Sequence, residues 1–134
     1  MPEGQFPRIL GLHHVRIPVT DPLVSRDWYI NALGFSPLLV FEVEEGVLGV
    51  TIEHPSGVSI GLHKDRKRAR SLSGFVVLSL AVSDLAAWAA HLERSGRSPV
   101  HLRDAHIGRC IHVPDPDGIL ISLHTPDWPS VDQA

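Results

Sequence analysis

The chain of 134 residues has a single cysteine, Cys110, so no disulfide can form within it, and the thiol count fits a reducing cytoplasm. No apolar stretch approaches the roughly 20 residues that a membrane-spanning helix requires. The opening residues, MPEGQFPRIL, lack the basic-then-apolar order of a secretory leader, so none is expected. There is no excess of basic residues either. Twelve Lys and Arg against fifteen Asp and Glu give a net charge of −3, which argues against general nucleic-acid binding. With 43% apolar and 20% charged residues the composition is that of a globular protein, and the length suits one domain spanning 1–134. Nine histidines are the one surplus, and they raise metal or acid–base chemistry as a question.

The chain also contains a repeat. Pro55-Ser-Gly-Val-Ser-Ile-Gly-Leu-His63 returns 61 positions later as Pro116-Asp-Gly-Ile-Leu-Ile-Ser-Leu-His124, with five residues identical in place. Val15–Asp21 is echoed by Leu78–Asp84 at an offset of 63. One supersecondary unit is therefore written twice, and a ligand site is expected where the two copies face each other.

Local signals give the unit its form. Ile9–Val19 reads as a strand, and Thr20-Asp21-Pro22 as a helix start with a cap and a first-turn proline. The helix from Leu23 to Leu33 stops at Gly34. Strands follow at about 37–44, 47–54 and 57–63, joined by turns at Glu45-Gly46 and Pro55-Ser-Gly57. Asp65-Arg-Lys-Arg-Ala-Arg70 reads as a solvated linker; its functional alternative is a patch for an anionic partner. The second half predicts a strand over Phe75–Val82, a helix over Asp84–Ser95 ending at Gly96, and strands near 99–104, 108–113 and 118–124. Residues 125–134, with Pro126 and Pro129, read as a surface tail. The fold class is α+β: two βαβββ modules in tandem, about 9–64 and 74–125, paired through their first strands into a curved mixed sheet around a cup.

Three motifs carry a family resemblance: His14-Val15 in the opening strand, Trp28-Tyr29-Ile-Asn-Ala-Leu-Gly-Phe35 at the first helix end, and Asp115-Pro-Asp-Gly118 before the last strand. Over about residues 9–126 the chain resembles the vicinal oxygen chelate superfamily of glyoxalase I, extradiol dioxygenases, fosfomycin-resistance transferases and bleomycin-resistance proteins. The resemblance implies a cup, often in a homodimer, where catalytic members hold a divalent metal through one residue on each of four strands. By motif position and repeat offset those residues fall on His14, Gly61, Val77 and Ser122. Glycine and valine have no donor, and a serine hydroxyl is a poor one, so no metal cofactor is expected.

The alternative is a displaced divalent-metal site built from His14, His112 and one of His63 or His124. His14 and His112 are the candidate catalytic residues, as ligand, general base or hydrogen-bond partner, against the reading of His14 as a relic of an ancestral metal site. Candidate ligand contacts are Arg16, Thr51 and Gly61 in the first module and Val77, Ser79, Cys110 and Ser122 in the second. Arg16 is suited to an anionic group or to a buried ion pair. Cys110 is expected to be a small core residue, too far from His112 for a good hydrogen bond. His63 and His124 are expected at the rim, and His101, Arg103 and His106 at the rim or in solvent. Trp28, Tyr29 and Trp88 read as core, with Tyr29 reaching a polar partner, while Asp115 and Asp117 read as turn-formers.

Two functions follow. The first is a small-molecule binder that works by sequestration, as the bleomycin-resistance proteins do. The second is a divalent-metal-dependent lyase, isomerase or dioxygenase with a rearranged site around His14 and His112, beside which stands a metal-free enzyme using one of these histidines as general base; none involves nucleic acid or a membrane.

Overall fold

The computed structural model describes residues 4–104 and 108–128. Its elements run β1 (Val15–Val19), α1 (Pro22–Leu33), β2 (Ser36–Val43), β3 (Gly46–Glu53), β4 (Ser59–Lys64), α2 (Arg66–Leu72), β5 (Val76–Ala81), α3 (Leu85–Arg94), β6 (Val100–Asp104), β7 (Gly108–Pro114) and β8 (Leu120–His124). Two four-stranded mixed sheets result, ordered β1-β4-β3-β2 and β5-β8-β7-β6. Each has one parallel pair, β1 with β4 and β5 with β8, and is otherwise antiparallel. The two βαβββ modules are thus present in the expected order. No helix among the described residues is long and apolar enough to cross a membrane.

The helices form where their caps dictate. Asp21 accepts from the backbone N–H groups of Leu23 and Val24, Pro22 opens α1, and Gly34 closes it at φ 81°, a left-handed value that a side chain would resist. Asp84 caps α3 in the same way through Ala87. The basic run between the modules is solvated, as expected, and it is also helical. Asp65 accepts from Arg68 N–H, Ala69 is fully buried, and α2 packs on β1. One cap and one anchoring methyl suffice for two turns of helix that leave most of the basic side chains in water.

Strand alternation separates two faces. Ile17, Val19, Val50, Ile52, Ile60 and Leu62 of the first sheet enter a core with Ile111, Val113, Ile121 and Leu123 of the second. Tyr29, Ala32 and Leu33 of α1 and Ala89 and Leu92 of α3 join the same cluster. The modules therefore meet on their helix-bearing sides. His91 Nε2 donates to the Ala32 carbonyl (3.0 Å) and the Arg97 guanidinium lies over the Trp28 ring. Both sheets turn their other face away from this core. No ladder joins β1 to β5 among the described residues, in contrast to the expected pairing through the first strands. Each module's helix lies on its own sheet, α1 on β2–β4 and α3 on β7, and the two helix-bearing sides then share one core.

Polar contacts clasp the two modules. The Thr20 amide and hydroxyl donate to the Asp117 carboxylate (3.1 and 2.6 Å), and the Tyr29 hydroxyl donates to Asp115 (3.2 Å). Asp115 also accepts from the N–H groups of Asp117 and Ile119, so this turn-former doubles as the partner expected for Tyr29. Burial outweighs these donors and, helped by Asp117 nearby, raises the Asp115 carboxyl to about 6. A carboxyl raised on folding favours the fold when protonated. That contribution is full below the ordinary carboxylate range and lost as pH rises through about 6. Urea unfolding of the wild type should therefore show stability growing as pH falls from 7.5 toward 5, by on the order of 1–3 kcal/mol. Asp115→Asn should lose that component, and an unchanged pH profile in this variant would contradict the assignment.

Candidate functional site

Register places side chains in rows across the outward face of each sheet. On the first, Arg16, Gly61, Thr51 and Leu39 form one row, and Pro18, His63, Gly49 and Phe41 the next. These rows floor a trough of about 560 Å³, which His13, His14 and Leu38 also line. Gly61 keeps the floor open. A Cβ there would sit 3.6 Å from His14 Cδ2 and 3.9 Å from Arg16 Cγ, so the missing side chain leaves both flanks bare. His14 precedes β1, and its Nδ1 shares a 2.9 Å hydrogen bond with His13 Nδ1. The ring is thereby fixed by its neighbour, and Nε2 is the nitrogen left for a ligand.

The second sheet presents a different surface. Ser79, Ser122, His112 and Val100 make the row corresponding to Arg16–Leu39. Ser122 and Cys110 are buried, and Val77 and His112 are half-buried. Burial lowers the His112 pKa from 6.5, so its imidazole is neutral at neutral pH. Cys110 Sγ lies 3.7 Å from His112 Nε2, closer than their i, i+2 spacing suggests. Side chains on a strand lean along its direction, and the long imidazole reaches back to the thiol. His124 donates from Nδ1 to the Thr125 carbonyl (2.6 Å), and its buried Nε2 has no partner among the described residues.

The sequence-derived candidates thus fall into two sets. His14, Arg16, Thr51 and Gly61 come together in the trough. Val77, Ser79, Cys110, His112 and Ser122 lie on the other sheet, and among the described residues none of module two lines the trough. His63, expected at the rim, also lines it. His101 is exposed beside Glu93 at 3.9 Å. His106 and the side chain of Arg103 lie outside the described residues.

Sequence reasoning did not single out Leu38, Leu39 and Phe41 as trough wall. The run Ser-Pro-Leu-Leu-Val-Phe-Glu-Val of β2 does not alternate, so periodicity could not tell its two faces apart. A bulge between Pro37 and Leu39 brings Leu38 into the lining as well. His13 carried only its adjacency to His14 as a signal.

A resident divalent metal does not fit this donor set. Of His14, Gly61, Val77 and Ser122, one offers an imidazole, two offer nothing, and the last offers a buried hydroxyl. Among the described residues no three His, Cys, Asp or Glu side chains are placed to hold a metal.

A family model described as Glyoxalase/Bleomycin resistance protein/Dioxygenase superfamily matches residues 11–123. Among solved structures, a glyoxylase/bleomycin resistance protein/dioxygenase domain from Frankia sp. EAN1pec is 21% identical with a TM-score of 0.68, over 88% of this chain and 98% of that one. TnmS3, an antibiotic binding protein from Streptomyces sp. CB03234, is 21% identical (TM-score 0.67; 90% and 100% covered). FosX, a fosfomycin resistance protein from Listeria monocytogenes, is 17% identical (TM-score 0.66; 94% and 98% covered). At these identities the likeness is one of fold. No curated protein matches the chain by sequence.

Proton NMR titration checks the electrostatics of the second face. The imidazole resonance that disappears in His112→Gln should titrate with a midpoint below 6.5. A midpoint at or above that value would mean His112 is solvated, contrary to its placement here.

Proposed function

The chain belongs to the Glyoxalase/Bleomycin resistance protein/Dioxygenase superfamily, and from that premise we propose that it binds a small molecule on the open face of module one without a resident metal. The observation that carries this reading is the trough itself. It is a concave space of about 560 Å³ with an apolar wall and a few convergent polar groups, within the size range of small-molecule sites. Gly61, Val77 and Ser122 stand where metal ligands would be needed, and they leave room for a bulkier guest. Solved structures of similar fold include an antibiotic binding protein and a fosfomycin resistance protein, which accords with a small-molecule role.

The binding unit in this reading is a homodimer. Leu38, Leu39, Val40, Phe41 and Val43 of β2 are 45–53% exposed, as are Val76 and Val100 of the second sheet at 44% and 54%. Contiguous apolar exposure of this kind marks a contact surface. Module two repeats module one, so its open face in a second copy has the matching curvature to cover the trough. His112 and Ser79 then reach a ligand from above, with Ser122 and Cys110 buried beneath them. Cytoplasmic residence accords with the lone cysteine, buried and unpaired.

The competing reading, a metal-dependent lyase, isomerase or dioxygenase centred on His14 and His112, would draw the two residues from the two copies of the same dimer, so the dimer does not decide between the readings. Metal analysis of protein purified without a histidine tag or chelator separates the two, combined with thermal-shift titration using nickel, manganese, zinc and iron(II). Substoichiometric metal is expected, with a shift no larger in the wild type than in His14→Ala. Stoichiometric metal, or a large stabilisation that His14→Ala removes, would favour the enzyme.

A further inference from the structure

We infer that the trough selects molecules joining an anionic group to an apolar body, an inference that rests on the trough being the ligand site. Its lining contains Arg16 and the imidazoles of His13, His14 and His63, and no Asp or Glu among the described residues. The Arg16 guanidinium is exposed in this space and has no carboxylate within 4.0 Å among the described residues. Arg26 and Arg68, by contrast, are each paired with an Asp. A planar guanidinium with free donors is matched by a carboxylate, sulfonate or phosphonate, which it can hold through two parallel hydrogen bonds. The opposite wall is apolar, with Leu39 and Phe41 both about half exposed.

Geometry sets the size of the guest. Arg16 and Leu39 share one row but stand on the two edge strands, three strand spacings apart. At about 4.8 Å each, that is roughly 14 Å from the cationic end to the apolar wall. A body of two or three fused rings with its charge at one end spans this distance. The chain as a whole is net negative, so the positive character of the trough is local, the other exposed concentration of basic side chains being on α2.

Two aryl dyes of nearly the same body test this on the full-length chain: 1-anilinonaphthalene-8-sulfonate and its uncharged counterpart N-phenyl-1-naphthylamine. In fluorescence titrations at low salt the sulfonate should bind roughly tenfold tighter or more, as one charge-assisted hydrogen bond provides. Arg16→Gln should bring the two affinities together, Arg16→Lys should restore part of the difference, and added salt should shrink it. Gly61→Leu and Thr51→Trp fill the trough by independent routes, and both should abolish binding of both dyes. Equal affinities in the wild type, a preference that survives Arg16→Gln, or no binding of the sulfonate would overturn the anion assignment. Undiminished binding of both dyes by both filling variants would overturn the trough as the site, and with it the reading beneath.

Discussion

Everything about this molecule depends on the two modules meeting through their helices. The apolar faces of α1 and α3, together with the inner faces of both sheets, form one continuous core. The DPDG turn of module two is locked onto module one by Thr20–Asp117 and Tyr29–Asp115. Burial of this much apolar surface is the dominant favourable contribution in folding, and the clasp fixes the angle at which it occurs. Once the backs of the sheets are committed to each other, their fronts have to face outward. The site candidates of one chain are then divided between two surfaces, which the proposed dimer would bring together.

Register confirms that the halves are structural equivalents and shows where they have diverged. Gly61 answers to Ser122, Thr51 to His112, Arg16 to Ser79 and Gly49 to Cys110. In each pair the scaffold is the same and the chemistry differs. Module one offers a wide floor, a guanidinium without a carboxylate partner among the described residues, and exposed imidazoles. Module two offers small buried groups and a desolvated, neutral imidazole. Facing one another across a two-fold axis, the first would hold the charged end of a guest and the second would close over it with weak, neutral donors. Such an arrangement favours binding and release over strong Lewis-acid activation.

Much of the fold was legible in the sequence because its signals are local. Asp21-Pro22 and Gly34 mark the ends of α1, the Asp-Gly and Glu-Gly turns mark the hairpins, and the repeated Pro-x-Gly-x-x-Ile-x-Leu-His aligns β4 with β8. What was not legible is non-local. Nothing in the spacing of Val15–Val19 and Val76–Ala81 says whether those strands pair, since that depends on which faces bury each other. The same holds for Asp115, whose turn chemistry was readable but whose burial against Tyr29, 86 positions away, was not. The helical turn at 66–72 hid behind its basic residues because one buried alanine, Ala69, decides it. The site was legible in part: of the candidate residues, alternation puts Arg16, Thr51 and Gly61 on one face, as the trough lining has them. A bulge between Val76 and Leu78 sets Val77 against the core, and alternation could not say that the outer faces of the two sheets look in different directions.

Sedimentation equilibrium of the untagged protein at micromolar concentration bears on this most directly. A mass twice the 14.7 kDa of the chain is expected, because in the proposed dimer the face of module two covers the trough. A stable 14.7 kDa species throughout the concentration range would contradict a cup built from two copies.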